Sequence, residues 1–365
     1  MLKYAIGALW DDDTAWSTTS GGANDTTKPT AADDCIADAN TPATFTLAAT
    51  GNCNSFECDV PAGTPYAGNF VHNSGIVLNI GSGALAPNNK RLRFSAGMTY
   101  TRGSTTTSEI NFASGTATLQ EVVLNGKTIT RLNMAGFVTQ PVIQFLDDVI
   151  MSGGINQQGG HYNVTSRLVQ TLSWAHGGGN PRSITMTNAI IELLATSGTI
   201  WNIGGSPLTI TTTGSEIKIA SISSSDRTLS MASKTYNKLT YTVNGSTGKL
   251  IISGNNTIAE LNFTDNLNDR ILQLPNGGTQ TITTLNVNGL NGKFMTIQSG
   301  TSGTQATISV ASGTVTLDHV KLKDINFTGG ATFIANNSID LGNNTGITIN
   351  APPPVSNRLS LLGVG

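Results

Sequence analysis

Short hydrophobic runs that alternate with polar residues dominate this chain. Typical examples are "IVLNI", "EINFAS", "SITMTN", "LTITTTG" and "IKIAS". A period of two is the pattern of a β-strand that buries one face. The runs are separated by Asn-Gly pairs and by clusters of Gly, Asn, Ser and Asp, which tolerate positive φ and mark tight turns. No segment of ten residues has a convincing helical pattern, so the sequence predicts an all-β chain.

The second half of the chain repeats two of these runs at a nearly constant interval. The segments "KLIISG", "RILQLPNG" and "KFMTIQSG" begin at Lys249, Arg270 and Lys293, with spacings of 21 and 23 residues. A second series, "IAELNF", "TITTLNV" and "ATISVA", runs beside it with spacings of 23 and 25 residues. A period of roughly 20–50 residues is typical of repeat architectures. Strands alone, at a period of about 22 residues, predict a single-domain parallel β-helix whose coils stack about 4.8 Å apart.

These patterns divide the chain into three predicted parts. Residues 1–44 form an N-terminal cap motif, residues 45–349 form the β-helix, and residues 350–365 form a Pro-rich C-terminal tail. The tail joins a triple Pro, which favours an extended spacer, to the apolar end "LSLLGVG". Two interpretations of the tail stay open: a peg that inserts into a neighbouring protein, or a frayed terminus.

Composition explains what such coils would place outside and which partners are disfavoured. Charged residues make up 12% of the chain and the net charge is −2, against about 25% charged residues in an average soluble domain. Thr and Asn suit outward strand positions and amide ladders, while Gly suits the corners. The near-neutral balance argues against nucleic acid or an anionic membrane as partner. No run of about 18 apolar residues predicts membrane insertion, and the apolar N-terminal run is too short for a signal peptide.

The open end of a solenoid exposes an unpaired edge, which must be covered. The stretch "ALWDDDTAW" lies ahead of the first predicted coil. We predict that the large rings of Trp10 and Trp16 seal the apolar interior. Asp11, Asp12 and Asp13 are then a charged turn that discourages edge-to-edge stacking with another chain.

A Ca²⁺ site is the alternative interpretation of the same aspartates. Asp33, Asp34 and Asp38 follow in the same motif and would join Asp11, Asp12 and Asp13 around the ion, since Ca²⁺ takes oxygen ligands. Without a metal, Asp33 and Asp34 belong to the structural cap with the two tryptophans, and the chain needs no cofactor.

The middle stretch, residues 157–183, combines two histidines with aromatic and guanidinium groups between two Gly-rich breaks. The breaks predict loops that leave the coil, and functional residues concentrate on loops. Aromatic faces beside amide and guanidinium donors suit sugar recognition, so the stretch predicts a glycan-binding site. The alternative is a loop that packs along the rod or against a neighbouring subunit. The residues of the predicted site are His161, Tyr162, Trp174, His176 and Arg182.

Acidic pairs give little indication of catalysis. A polysaccharide-cleaving site needs paired carboxylates about 5–10 Å apart. Asp147 and Asp148 are neighbours, which a strand would point to opposite faces, so we predict a corner or a bulge there. Asp318 and Asp324 are six residues apart, which predicts the same face of a strand. We predict no catalytic residue, and a polysaccharide lyase or hydrolase stays as an alternative.

Three cysteines lie near the N-terminus: Cys35, Cys53 and Cys58. One pair could oxidise, and Cys53 with Cys58 would close a short loop. The other interpretation is that the cysteines are reduced or buried and act as small hydrophobic residues.

Both ends of the chain carry motifs that resemble one group of proteins. The N-terminal motif consists of Trp10, Trp16-Ser17, Gly21-Gly22, Pro29-Thr30, Asp33-Asp34 and Asp38-Ala39-Asn40. The C-terminal motif consists of "GGAT" at 329–332 and "DLGNNTG" at 340–346. Together they resemble bacteriophage virion structural proteins of the β-helical tail-fibre or tail-spike-like group.

The resemblance implies a non-enzymatic virion component, foremost a tail fibre or spike that contacts the host surface. It implies other virion proteins and a host surface glycan as partners, and a location in the virion after assembly in the bacterial cytoplasm. A capsid decoration or head-fibre protein is the second interpretation, and a polysaccharide-degrading tailspike enzyme is the third. Rods of this kind often form closed cyclic oligomers, and we expect a homotrimer.

Overall fold

The computed structural model describes residues 1–24, 27–60, 63–81, 90–103, 108–113, 119–134, 141–177, 179–205, 207–265 and 267–354. These residues form a parallel β-solenoid of about 12 turns with about 23 residues per turn, which confirms the predicted β-helix. No helix in the described part of the chain is long and apolar enough to cross a membrane. Within the predicted C-terminal tail, residues 355–365 lie outside the described residues.

The strands are numbered in chain order. The first thirteen are β1 (Leu2–Ala5), β2 (Trp16–Ser17), β3 (Asp34–Ile36), β4 (Thr44–Leu47), β5 (Gly51–Cys53), β6 (Ser55–Glu57), β7 (Asn69–His72), β8 (Val77–Ile80), β9 (Lys90–Arg93), β10 (Thr99–Arg102), β11 (Glu109–Phe112), β12 (Leu119–Val123) and β13 (Thr128–Ile129). The next thirteen are β14 (Arg131–Met134), β15 (Val142–Phe145), β16 (Val149–Met151), β17 (Ile155–Gln157), β18 (Gly160–Asn163), β19 (Leu168–Thr171), β20 (Trp174–His176), β21 (Arg182–Thr185), β22 (Ile190–Leu193), β23 (Gly198–Asn202), β24 (Leu208–Thr211), β25 (Glu216–Ile219) and β26 (Arg227–Ser230). The last thirteen are β27 (Thr235–Tyr241), β28 (Leu250–Ser253), β29 (Thr257–Thr264), β30 (Arg270–Leu274), β31 (Thr279–Asn288), β32 (Met295–Ser299), β33 (Ala306–Val310), β34 (Thr314–Asp318), β35 (Val320–Lys323), β36 (Ile325–Gly329), β37 (Thr332–Asn336), β38 (Ile339–Asp340) and β39 (Thr348–Ile349). A single 3₁₀ turn, Asp13–Ala15, precedes β2 among the described residues.

Four sheets run along the solenoid. Sheet I has ten strands in the order β2-β1-β3-β6-β9-β12-β15-β18-β21-β24, and sheet II has thirteen in the order β38-β35-β32-β30-β28-β26-β23-β20-β17-β14-β11-β8-β5. Sheet III has thirteen strands that begin at β13 and include β31, β34, β37 and β39, and sheet IV has the order β10-β7-β4. All strand pairs are parallel except β1 with β2 in the described chain, so each coil hydrogen-bonds to the coil before and after it.

The two repeat series read from the sequence are neighbours in space. The first series corresponds to β28, β30 and β32, which are adjacent in sheet II. The second corresponds to β29, β31 and β33, which are adjacent in sheet III. The repeat period is therefore the length of one coil, as predicted.

The shape of the coil changes along the solenoid. Sheet I ends at β24, and in the next three coils one long strand replaces two short ones. These long strands, β27, β29 and β31, contain 7, 8 and 10 residues. The coils that follow divide again into shorter strands, β33 with β34 and β36 with β37.

The outward faces carry amide ladders, as the composition predicted. Asn52, Asn79 and Asn111 lie in register on β5, β8 and β11, and Asn133 and Asn156 continue the column on β14 and β17. The Nδ2 atom of Asn79 donates to Oδ1 of Asn52 at 3.1 Å, and that of Asn111 donates to Oδ1 of Asn79 at 2.8 Å. Such ladders satisfy half-buried amides along the stacking direction.

Two arginines occupy the interior at the corner between sheets III and II. Arg270 Nε donates to Asp265 Oδ2 at 2.8 Å, and both side chains are fully buried. Arg270 also donates to the Tyr241 carbonyl and lies 3.9 Å from the centroid of the Tyr241 ring. Arg227 lies 4.6 Å from the same ring and donates to the Ser221 carbonyl. The guanidinium groups thereby satisfy carbonyls that point inward where the chain turns.

Candidate functional site

The middle stretch, residues 157–183, forms strands β18 to β21 of the solenoid instead of loops that leave it. Tyr162 and Trp174 have no exposed surface. Their rings stack in a column with Phe145 and Trp201, with centroids 5.5 to 5.9 Å apart. The prediction that these rings bind a glycan is wrong, because alternation turns them into the core and leaves no face for a sugar.

The other three residues of the predicted glycan site are buried or half-buried. His161 is half-buried and its Nδ1 contacts the Ser183 hydroxyl. Arg182 is 2% exposed, and its Nη1 donates to the Gly177 carbonyl at 3.1 Å. Burial lowers the pKa of both His161 and His176. His161 and Arg182 therefore make polar contacts within the solenoid, and a role of the two histidines in binding stays a prediction.

Trp10 and Trp16 are both buried in the N-terminal core. Their ring centroids lie 5.1 Å apart in an edge-to-face arrangement, and Trp16 Nε1 donates to the Trp10 carbonyl at 2.9 Å. Trp10 also packs on Phe45 and Phe56. The indoles belong to one aromatic cluster with the first coils, and their role as a seal remains a prediction.

Asp12 and Asp13, two of the three adjacent aspartates, take separate partners. Asp12 caps the 3₁₀ turn, because its Oδ1 accepts from the backbone N and the hydroxyl of Thr14, each at 2.8 Å. These two hydrogen bonds lower the pKa of Asp12. Asp13 Oδ1 accepts from the backbone N of Lys28 at 2.8 Å, and Asp11 Oδ1 is buried.

Asp33 and Asp34 hold turns in the first coil. Asp33 Oδ2 accepts from the backbone N and hydroxyl of Thr30. Burial raises the pKa of Asp33, but these hydrogen bonds and the N-terminal ammonium, 3.1 Å from Asp33 Oδ1, together outweigh it, so the pKa lies below its ordinary value. Asp34 Oδ1 accepts from Asn54 Nδ2 at 2.8 Å and from the Ser55 hydroxyl at 2.7 Å. Across the described residues, no group of three acidic, His or Cys side chains has an arrangement that could hold a metal ion.

Asp147 and Asp148 lie between β15 and β16, at a corner, as predicted. Asp147 accepts from the backbone N of Leu124 in the coil before, and Asp148 accepts from that of Leu168 in the coil after. The two carboxylates therefore tie neighbouring coils together.

A surface cluster that the sequence did not single out lies at the corner between sheets III and II. The structure brings together side chains from three successive coils, which we call the corner cluster: Asp269, Phe294, Asp318, His319 and Lys321.

The contacts within the corner cluster centre on Lys321 and Phe294. Lys321 Nζ lies 3.1 Å from Asp269 Oδ2 and 4.9 Å from the centroid of the Phe294 ring. The His319 ring lies 6.0 Å from the Phe294 ring, and its Nδ1 lies 3.0 Å from Asp318 Oδ2. The cluster therefore combines an aromatic face, an ammonium, an imidazole and two carboxylates.

The solenoid itself positions these side chains. Asp269 precedes β30, Phe294 precedes β32, and His319 precedes β35, and the three strands are neighbours in sheet II. The backbone N of Phe294 donates to Asp269 Oδ1 at 2.8 Å, across a separation of 25 residues. Burial raises the pKa of Asp269, yet the net pKa is lowered by this hydrogen bond and by Lys321. His319 adopts a φ of 50°, which turns the chain sharply between β34 and β35.

The same turn overturns one prediction. Asp318 and Asp324 do not share a strand face, because the chain turns at His319 and again at Asp324, where φ is 57°. Asp324 is buried, and its Oδ1 accepts from the backbone N of Gly303 and from Asn343 Nδ2. Asp318 is 44% exposed and belongs to the corner cluster.

The corner cluster could have been predicted from the repeat period of the sequence. Asp269, Phe294 and His319 are each 25 residues apart, which is one coil, so a stacked solenoid aligns them. Chemically, the exposed acceptors, the ammonium and the ring face of Phe294 suit a polyhydroxylated ligand. Comparisons of this chain with protein-family models, with curated proteins and with solved structures find no match.

Proposed function

We propose that this chain is a non-enzymatic structural protein of a bacteriophage virion, a tail fibre or spike that contacts the host surface. The observation that carries the proposal is the continuous solenoid, in which sheet II gains one strand from each coil between β5 and β38. Such a rod is stiff because every coil is hydrogen-bonded to its neighbours. The terminal motifs that resemble virion proteins support the same assignment.

We assign host contact to the corner cluster. The ligand that we assign to this cluster is a glycan on the host surface. Phe294 offers a ring face, while Lys321, Asp269 and Asp318 offer donors and acceptors for hydroxyl groups. This assignment replaces the buried residues of the middle stretch. In this function the aromatic side chains of Trp10 and Trp16 close the first coil, and no cofactor takes part.

Binding of purified protein to host surface polysaccharide on a glycan array tests this assignment. We expect Phe294→Ala and Lys321→Ala each to weaken binding about tenfold, the effect of roughly 1.4 kcal/mol. Lys249→Ala is the matched control, because Lys249 is a partly exposed lysine paired with Asp226 at 3.5 Å. Equal loss in the control, or no binding by wild type, would contradict a glycan site here. Release of reducing ends would favour the enzyme instead.

Electron microscopy of particles that carry a label on this chain tests the position in the virion. Label at the tail tip supports a fibre or spike. Label confined to the capsid contradicts it and favours a decoration or head-fibre protein.

We also propose that the rod assembles as a homotrimer within the particle. Ile222, Leu267 and Leu290 are 61%, 57% and 46% exposed and lie in corners that follow β25, β29 and β31. Gly245 occupies the corner after β27, and a Cβ there would lie 3.9 Å from Ile222 Cγ2. An apolar column of this kind favours burial against another copy. Leu267 and Leu290 share the corner between sheets III and II with the corner cluster, so in a trimer the glycan must bind beside this seam and not on it. Sedimentation should give a trimer for wild type and a monomer for Leu267→Ser; a monomeric wild type would contradict the assembly.

A further inference from the structure

The sequence Leu-Asn-Gly-Lys occurs twice in this chain, at 124–127 and at 290–293. In both copies the backbone N of the lysine donates to the carbonyl of the leucine, at 3.0 Å for Lys127 and at 2.8 Å for Lys293. Both copies are therefore tight turns, and their glycines have φ values of 74° and 77°. Because the four residues are the same, a difference in the reactivity of the two asparagines must come from the structure around them.

The first asparagine is held by its surroundings. Asn125 Nδ2 donates to the Phe94 carbonyl at 2.6 Å, and the backbone N of Asn125 donates to Asp147. Asn125 is half-buried and has a φ of 48°. Its side chain is therefore tied to the coil before, and its backbone to the coil after.

The second asparagine has an exposed side chain without such ties. Within the described ranges of the chain, neither the side chain of Asn291 nor the backbone N of Gly292 has a hydrogen-bond partner. Apart from its chain neighbours, no described atom lies within 4 Å of the position that a Cβ on Gly292 would take. The side-chain amide and the next backbone nitrogen are therefore both open to solvent.

The other three of the five Asn-Gly pairs in the chain differ from this turn, because their glycine N–H groups have acceptors. The glycines and their acceptors are Gly245 with Asp265 Oδ1 at 3.4 Å, Gly277 with the Gln305 carbonyl at 2.9 Å, and Gly289 with the Asp318 carbonyl at 2.9 Å. A nitrogen whose N–H is held in this way is not free to attack the side chain before it. Asn291 with Gly292 is thus the pair in which both reacting groups are free.

We propose that Asn291 is a site of spontaneous deamidation that alters the corner cluster. The Gly292 N–H loses its proton to solvent, its nitrogen bonds to Asn291 Cγ, and the Cγ–Nδ2 bond breaks as Nδ2 leaves as ammonia with a proton from water. Water then opens the succinimide at either carbonyl and gives aspartate or isoaspartate. One water is consumed, one ammonia is released, and no electrons are transferred. Glycine favours the first step, because no Cβ hinders its nitrogen.

The modified turn leads directly into the corner cluster, because Phe294 follows Lys293 in the chain. Both products add a negative charge to the turn, and isoaspartate also adds a methylene group to the main chain between Leu290 and Lys293. We expect this change to shift the Phe294 ring and weaken glycan binding, a consequence that rests on the function proposed above. The site would then lose affinity as the protein ages.

The test incubates folded full-length protein at mildly alkaline pH and follows each asparagine by peptide mass spectrometry after digestion in acid. We expect Asn291 to deamidate about tenfold faster than Asn125, a ratio that corresponds to about 1.4 kcal/mol of activation free energy. In urea-unfolded protein the two turns should react at the same rate, since their sequences are identical. The same comparison in Leu267→Ser, the variant expected to be monomeric, shows whether the trimer seam beside Leu290 slows the reaction.

The effect on binding is measured on deamidated wild type, which anion exchange separates from fresh protein. It should bind host polysaccharide more weakly than fresh protein, whereas Asn291→Ser should bind equally before and after incubation. Asn276→Asp adds the same charge at a different corner and should leave binding unchanged.

Two results overturn the proposal: equal rates at Asn291 and Asn125 in folded Leu267→Ser, or unchanged glycan binding by the deamidated protein. Absence of glycan binding by fresh protein would instead contradict the proposed function. Mass spectrometry would still decide in that case whether Asn291 is the site of deamidation, because it does not depend on a ligand.

Discussion

The coils at the two ends of this solenoid fill their interiors with different residues. From residue 1 to residue 112 the core contains a cluster of aromatic rings, and Phe70 alone contacts Trp10, Phe45, Phe56 and Phe94 with centroids 5.0 to 6.4 Å away. From residue 250 to residue 317 the core consists mainly of Leu, Ile and Val. The same fold is therefore packed by interlocking rings at one end and by aliphatic columns at the other.

The difference follows the regularity of the coils. In the N-terminal ladder, Asn52 and Asn79 are 27 residues apart, and Asn79 and Asn111 are 32 apart. In the C-terminal coils, the amide pairs Asn262 with Asn286 and Gln273 with Gln298 are 24 and 25 residues apart. Farther along, the coil length varies again: Asn288 pairs with Asp318 across 30 residues, and Val315 pairs with Phe333 across 18. The regular interval therefore belongs to the coils from β25 to β32, whereas large rings fill the core where the N-terminal coils differ in length.

Removal of the ring at the centre of the aromatic cluster should cause the largest loss of stability. Phe70 is fully buried, and Phe70→Ala is expected to cost about 3–5 kcal/mol, because it deletes contacts with several rings and leaves a cavity. Solenoid coils are stabilised mainly by their neighbours, so the loss should be local. Hydrogen exchange should show faster exchange in β4, β7 and β10, with β28, β30 and β32 unchanged.

Leu272→Ala is the counterpart in the aliphatic columns, since Leu272 is fully buried on β30. It should cost about 2–5 kcal/mol and accelerate exchange in β28, β30 and β32 only. Val71→Ala, next to Phe70 but directed outward, controls for the N-terminal variant. Loss of protection along the whole rod in either variant would contradict the division into two differently packed ends.

The order in which strands stack could be predicted from the sequence for the aliphatic coils, but not for the aromatic N-terminal coils. The segments that begin at Lys249, Arg270 and Lys293 recur because equal coils place equivalent residues at equal intervals. Unequal coils break that interval near the N-terminus, where only the turn residues and alternation were informative. Those features predict strands without predicting which strand follows which in a sheet.

The candidate site shows the same limit. Tyr162 and Trp174 looked like a ligand platform because glycines flank them, yet alternation decides which face a ring takes, and one residue of register separates core from surface. Phe294 and Lys321 are far apart in sequence, and stacking of coils brings them together. When a site takes one residue from each coil, it can be predicted from the sequence only after the length of each coil is known.

The buried ion pair between Arg270 and Asp265 lies inside the aliphatic region and offers the next effect. Arg270→Met removes the partner of the fully buried Asp265 and should cost about 3 kcal/mol, because an uncompensated buried carboxylate remains. The double variant Arg270→Met with Asp265→Leu should recover most of this loss. Urea titration followed by circular dichroism measures both; no recovery in the double variant would indicate that the carbonyl contacts matter more than the pair.

Acid should weaken the N-terminal and middle coils before the C-terminal coils. Burial lowers the pKa of His72, His161 and His176 below 6.5, the ordinary value. The unfolded chain then binds more protons than the folded chain once the pH falls below about 6.5, so stability is lost from there down to the folded pKa values. Hydrogen exchange at pH 7 and pH 5 should show loss of protection around β7 and β18, with β30 and β32 retained.

His72→Gln tests the contribution of one of these groups. In the wild type, His72 Nε2 lies 2.9 Å from the Ile76 carbonyl, which can only accept, and Nδ1 lies 2.8 Å from the Tyr100 hydroxyl. A glutamine keeps a donor and an acceptor but does not titrate. The pH dependence around β7 should therefore decrease while that around β18 persists. An unchanged profile at β7 would assign the acid sensitivity to other groups.

The smallest effect concerns the outward ladders, which both ends share. Asn79→Ala removes a link between Asn52 and Asn111, and Gln298→Ala removes the amide that faces Gln273 at 3.5 Å. One hydrogen bond contributes about 1 kcal/mol net to the free energy of unfolding. Asn79→Ala removes two bonds, of 3.1 and 2.8 Å, but both are partly exposed, so the variant should lose about 1 kcal/mol in total. The longer C-terminal contact should contribute less, because hydrogen bonds weaken with distance. Equal losses in urea titrations would show that amide ladders stabilise both ends alike and that interior packing alone distinguishes them.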